Sequence, residues 1–192
     1  RLLLLFMIPN LSDDLYRFIW DGQLTWHGIH PFAQIPSYYA FEGMPSFLSM
    51  ELFELLNSKE YFTVYPPVSQ FFFMVTSAVT GGDIFWSAVI FRTLLIGAEV
   101  GSYYLLKRLT IIQGIDPRRI SWYWLNPLVI LEITGNLHFE GFMILFIFLA
   151  ILLVLNKHIW MAGVSMGLAI GVKLIPLLFL PVIWKQLGTK AF

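Results

Sequence analysis

Between Ser12 and Gly22 the chain reads Ser-Asp-Asp-Leu-Tyr-Arg-Phe-Ile-Trp-Asp-Gly, which sets Asp13, Asp14 and Asp21 around Arg17. On a helix, Asp13, Arg17 and Asp21 fall at i, i+4 and i+8 and share one face. A carboxylate held there suits general-base chemistry, in which it takes the proton of an attacking hydroxyl. Leu15, Phe18, Ile19 and Trp26 make a separate apolar face suited to lying on a membrane surface. The bland reading of this pattern, an interfacial helix with a solvated charged face, stands beside the functional one. Asp13 and Asp14 could hold a divalent cation, but no third ligand lies nearby in the sequence, so no metal is expected.

Further along, Asn136, His138 and Glu140 alternate in a short polar interval between apolar runs. They could bind sugar hydroxyls or support a base, and could equally cap two helices. Lys173 interrupts an apolar run, where a lysine is costly unless it is paired or reaches the interface. It reads either as a snorkelling side chain or as a cation for a phosphate. His27 and His30 read as plain loop residues. There is no cysteine, P-loop, HExxH or Gly-x-Ser-x-Gly, so thiol and phosphate-loop chemistry are excluded.

The elements that must position these groups follow from composition. Of 192 residues, 58% are hydrophobic, 17% aromatic and only 12% charged, and the mean hydropathy is +0.73. A water-soluble domain of this size carries about twice that share of charge. A soluble domain and a disordered chain are thereby excluded. The net charge of zero gives no field for nucleic acid. The expected fold is all-α, a polytopic transmembrane helix bundle. It forms one domain over 1–192, divided into an extracytoplasmic loop over 10–83 with interfacial or re-entrant helices and transmembrane helices over 84–192. The abrupt start at Arg1 and end at Phe192 read as those of a fragment of a longer membrane protein.

Spanning helices are expected over 84–106, 121–134, 142–155 and 159–172, with a turn after Lys173 and a further helix over 174–184. The run 68–79 is short and is expected in the outer leaflet. Lys107, Arg108, Arg118 and Arg119 face a single acid, Asp116, whereas 10–69 holds seven acids against Arg17 and Lys59. The positive-inside rule then makes 107–119 cytoplasmic and the long first loop extracytoplasmic, with Lys185 and Lys190 also inside. Gly97 with Gly101, and Gly163, Gly167 and Gly171, form small-xxx-small steps expected to pack helices closely. Arg92 and Glu99 are expected to pair with neighbouring helices, Glu132 being a candidate partner for Arg92.

The ordered set of short motifs carries a resemblance. Asp13-Asp14, Tyr16 and Trp20-Asp21-Gly22 are followed by His30-Pro31, Tyr65-Pro66-Pro67 and Trp124-Leu125-Asn126-Pro127. Asn136-x-His138-x-Glu140 and Gly171-Val172-Lys173-Leu174-Ile175-Pro176 close the series. From about Asp13 to Pro176 the chain resembles the GT-C superfamily of membrane glycosyltransferases, above all the polyprenyl-phosphate-mannose-dependent mannosyltransferases. The resemblance implies the N-terminal half of such an enzyme, acting on the extracytoplasmic face with inversion, without a cofactor. Its partners would be a polyprenyl-phosphate sugar donor, a glycan or glycolipid acceptor and the lipid bilayer. It implies Asp13 as the catalytic acid residue, with Asp14, Arg17, Asp21, Tyr65, Asn136, His138 and Glu140 supporting or binding substrate. The family pattern spaces its acids Asp-x-Asp, and here Leu15 stands where the second would fall. A departing lipid phosphate needs cations, and Arg17 and Lys173 are the candidates.

Two other classes compete. A secondary transporter would use Arg92, Glu99, Glu132 and Lys173 as intramembrane sites, and the other class is a non-catalytic membrane subunit, which the short length would suit. The concentration of acids in the long first loop favours the enzyme.

Overall fold

The computed structural model describes residues 1–181, all helix, turn and loop with no strand among them. The expected helix over 174–184, in its last residues, and Lys185 and Lys190 lie outside the described residues. The chain divides into two compact units. The first holds Arg1–Leu94 with Thr134–Leu137, and the second holds Leu95–Ile133 and the chain from His138 onward.

In the first unit, α1 (Asp14–Trp26) starts where the Ser12 hydroxyl accepts the Asp14 N–H at 3.3 Å. α2 (Pro36–Glu42) opens on a proline and stops at Gly43, whose φ of 136° few other residues adopt. α3 (Met50–Glu54) is capped by Ser49, whose hydroxyl accepts from the Leu52 N–H at 3.1 Å. The Tyr65-Pro66-Pro67 motif launches α4 (Pro67–Thr80), with Pro67 where the missing N–H costs nothing. α5 (Ile84–Ile112) begins with the Asp83 carboxylate accepting from the Trp86 N–H at 2.8 Å.

α1 packs along α4 around a cluster of rings. Phe18 stacks on Phe73 at 4.4 Å, and Tyr65 and Phe91 meet Phe18 edge-on at 5.0 and 5.7 Å. Each such pair contributes about 0.5–1.5 kcal/mol beyond its buried area. This corrects the expected amphipathic surface helix. Leu15, Phe18 and Ile19 are core residues, Arg17 and Asp21 are buried as well, and only Trp26 of the proposed membrane face is exposed. Arg17 and Asp21 are tolerated inside because they bond one another and the segments packed against α1.

In the second unit α5 continues to Ile112, six residues past the expected end, so Lys107 and Arg108 lie on the helix and not in the loop. The expected helix over 121–134 is broken. α6 (Ser121–Trp124) ends before Asn126, whose carboxamide oxygen accepts from the Leu128 N–H at 2.9 Å. α7 (Pro127–Val129) follows and gives way to a π-helical turn, Ile130–Gly135. Pro127 cannot donate to a preceding carbonyl, and the Asn126-Pro127 pair restarts the helix. α8 (Glu140–Leu155) and α9 (Ile159–Val172) form a helical hairpin, tied by the Ser165 hydroxyl donating to the Phe146 carbonyl at 2.8 Å. Lys157, at φ 63°, makes the sharp turn between them.

Among the described residues, one helix, Ile84–Ile112, is long and apolar enough to cross a membrane. A second candidate exists if Pro127–Gly135 and Glu140–Leu155, bent by 114° at their junction, form one span. α8 and α9 are ~24 and ~21 Å long at 1.5 Å per residue, short of the ~30 Å hydrocarbon core. The full set of spanning helices read from hydropathy is therefore not seen. The glycine steps are corrected in part. A side chain at Gly97, Gly163 or Gly167 would meet nothing within 4 Å, whereas one at Gly101 would lie 2.8 Å from Leu145.

Candidate active site

Asp13 sits just before the first turn of α1, exposed, and its carboxylate makes no capping bond. Asp14 is half-buried beside it and accepts a hydrogen bond from the Tyr65 hydroxyl. Burial, and then the negative charge of Asp14, push the Tyr65 hydroxyl well above its usual range, so the phenol keeps its proton. Tyr65 is held in turn by edge contacts with Phe18 and with Phe73, at 5.0 and 5.3 Å. The start of α4 thus fixes Asp14 and leaves the neighbouring Asp13 carboxylate facing solvent.

One turn deeper, Arg17 and Asp21 form an ion pair with Nε and Oδ1 2.9 Å apart. The other Asp21 oxygen accepts from Gln70 Nε2 at 3.0 Å. Arg17 also donates to the Ser58 and Tyr61 carbonyls, both at 3.0 Å, which pins the loop before α4. Burial pushes the Asp21 carboxyl up from its ordinary value, and Arg17, Thr63 and Gln70 oppose that rise. Arg17 is only 3% exposed. Its guanidinium serves the fold, so of the two cations expected for a phosphate it is the one already committed. Gln70 and Ser58 escaped the sequence reading because they lie 49 and 41 residues from their partners, with no local pattern to mark them.

Arg92 shows the same use of charge. It donates to the carbonyls of Thr134 at 2.8 Å, Leu5 at 3.1 Å, Gly135 at 3.2 Å and Met7. The carboxylate expected for it, Glu132, is turned elsewhere. Glu132 Oε2 lies 3.0 Å from His138 Nδ1. Arg92 thereby closes four backbone acceptors, a satisfactory solution for a buried cation because each carbonyl presents a partial negative charge.

The Asn-x-His-x-Glu motif is divided. Asn136, buried, and Leu137 belong to the first unit, while His138 and Glu140 belong to the second. Leu137 is fully buried with φ 62°, a left-handed conformation that costs a branched residue about 1–2 kcal/mol. Glu140, in the first turn of α8, pairs with Lys173, which caps the end of α9 in an extended conformation. An acid at a helix start and a base at a helix end each suit the local dipole. Both side chains are partly exposed, so Lys173 keeps access to solvent. His27 stacks on Phe47 at 3.8 Å, and the His30 ring accepts from the Phe32 N–H at 3.3 Å, as loop residues do.

Among the described residues no three His, Cys, Asp or Glu converge on one point that could hold a metal ion. Within the segment 12–22, Asp13 is the one exposed carboxylate, and most of α1 beneath it is buried against α4.

The family model described as "Alpha-(1->6)-mannopyranosyltransferase, N-terminal domain" matches residues 2–187. Alpha-(1->6)-mannopyranosyltransferase A of Corynebacterium glutamicum is 25% identical over 186 residues, covering 94% of this chain and 36% of the relative. The chain thus spans about a third of the length of that relative. No solved structure matches. With a match running from Leu2 nearly to its last residue, the chain belongs to the family of alpha-(1->6)-mannopyranosyltransferase N-terminal domains.

Proposed function

We propose that this chain is part of a GT-C-type membrane glycosyltransferase that moves a mannose from a polyprenyl phosphate to a glycan or glycolipid acceptor, on the extracytoplasmic face and with inversion. The observation that carries this reading is Asp13, exposed at the head of α1 while the three other charged groups of its segment are held by neighbours. An acceptor hydroxyl oxygen attacks the anomeric carbon and a new C–O bond forms. The bond from that carbon to the phosphate oxygen breaks, and its electron pair leaves with the polyprenyl phosphate. The hydroxyl proton passes to the Asp13 carboxylate. Asp14 and Tyr65 act as positioning residues for the head of α1. Lys173 is the remaining candidate cation for a phosphate, in exchange with Glu140. His138, half-buried in the second unit, is proposed to bind a sugar hydroxyl. Membership of a mannosyltransferase family favours this reading over a transporter.

The test is transfer from a polyprenyl-phosphate mannose by the full-length enzyme. Asp13→Asn should lower turnover by roughly 10²–10⁴-fold, the range for a lost general base. Thermal stability should match the wild type, because the side chain is exposed and uncapped. Full activity in that variant refutes the assignment.

A further inference from the structure

The first unit holds a pocket of about 560 Å³ at the end of α1 remote from Asp13, walled by the segment 46–52 and the turn Gly81–Phe85. Its volume lies within the range of small-molecule sites. Gln23 lines it, is 2% exposed, and its Nε2 has no hydrogen-bond partner. A buried donor without an acceptor is costly, so a ligand that accepts from it gains by binding. Gly82, at φ 87°, packs directly against the amide, and a Cβ there would lie 2.4 Å from that same Nε2. Glycine at this position leaves the amide its place. Ser46, Glu51 and Asp83 are among the lining residues, as are Phe47 and Phe85. Asp83 Oδ1 is used on the Trp86 N–H, which leaves Oδ2 to accept. Phe47 is fixed by its stack on His27.

We propose that this pocket binds a neutral hexose unit of the acceptor glycan, a proposal that rests on the transferase reading above. The chemistry of the lining selects the ligand. Gln23 offers an N–H and requires an acceptor atom, whereas Glu51 and Asp83 are carboxylates and require donors. A hydroxyl does both, and a sugar presents several on one rigid ring. An ammonium group would satisfy the carboxylates but cannot accept from Gln23. A phosphate would accept from Gln23 but meets two negative charges and no lysine or arginine among the lining residues. The site therefore excludes the donor head group and fits the acceptor. The Phe47 and Phe85 rings give the C–H faces of a sugar an apolar surface. Gln23 lies nine residues beyond Asp14, ~13 Å along the helix at 1.5 Å per residue. That span exceeds one sugar ring, so the pocket holds a unit further along the acceptor chain than the attacking hydroxyl.

The experiment measures acceptor and donor KM in the full-length enzyme, with mannose oligosaccharides of increasing length as acceptors. Glu51→Gln, at an exposed position, and Gln23→Met are the variants. Glutamine at 51 keeps an acceptor oxygen but loses the charge and should raise the acceptor KM several-fold for long oligosaccharides, and Gln23→Met, which removes the donor, should raise it about tenfold. Donor KM should stay unchanged, as should the KM of a monosaccharide acceptor too short to span the two positions. An unchanged KM for long acceptors in Glu51→Gln overturns the proposal while leaving the transferase intact. If the wild type transfers nothing from the polyprenyl donor, the transferase reading fails, and direct binding of mannotriose by saturation-transfer NMR decides the pocket. Binding weakened in Glu51→Gln then supports it, and binding absent or equal in both proteins refutes it.

Discussion

The backbone of Gly22 runs so close to Phe73 that a methyl group on the glycine would lie 2.4 Å from the Phe73 carbonyl oxygen, and equally close to Ser77 Oγ. α1 and α4 touch here through backbone, and the carbonyl cannot move without bending α4. Gly22→Ala should destabilise this chain by about 1–3 kcal/mol, the usual range for overpacking. Gly97→Ala, where a Cβ meets nothing within 4 Å, should be neutral or stabilising by up to about 1 kcal/mol. Thermal melts of the two variants check the contrast, and equal melting points would contradict the close crossing.

The Arg17–Asp21 pair should behave as a structural unit. Either single replacement, Arg17→Met or Asp21→Asn, leaves a buried charge uncompensated and should cost about 3–5 kcal/mol. Replacing both should cost less than the sum, as a double-mutant cycle would show. A pH dependence follows with a definite sign. Asp21 has its folded pKa raised by burial, so protonation favours the folded state. Its ionisation weakens folding as pH rises from the ordinary Asp value through the raised one. Removing Arg17 takes away an opposing charge, so Arg17→Met should regain stability on acidification across that window. The wild type should gain less over the same window, and a variant whose pH dependence matches that of the wild type would count against the pairing.

Lys173 and Glu140 make separable predictions. If Lys173 serves a phosphate, Lys173→Met should lower donor affinity or transfer rate while acceptor KM and expression stay near normal. Lys173→Arg should recover part of the loss, since the two cations differ in shape and hydration. If the pair only joins α8 to α9, Glu140→Gln and Lys173→Met should shift the melting point alike and leave donor kinetics unchanged. Initial rates against donor concentration distinguish the two.

Topology can be probed directly because the chain has no cysteine. Single cysteines at exposed Tyr61 and at exposed Ile115 should react with an impermeant reagent from opposite sides of the membrane. Reaction from the same side would remove the extracytoplasmic assignment of Asp13.

Much of the local structure was already written in the sequence. Ser49 and Pro67 start helices where such residues start them, because the first N–H groups of a helix need an acceptor or a residue without a donor. The length of α9 and its end at Lys173 followed from hydropathy alone, and the order of motifs from Asp13 to Pro176 carried the family. Tertiary structure decided the rest. The amphipathic pattern of α1 signals a surface when read in isolation, yet α4 and the loop at Ser58 and Tyr61 cover its charged face as well as its apolar one. Hydropathy could not see the break at Asn126-Pro127 override a continuous apolar run, nor Arg92 choosing carbonyls over Glu132. Periodicity reports which residues share a face. Which partner meets that face depends on chain segments tens of residues away, and only the folded backbone brings those together.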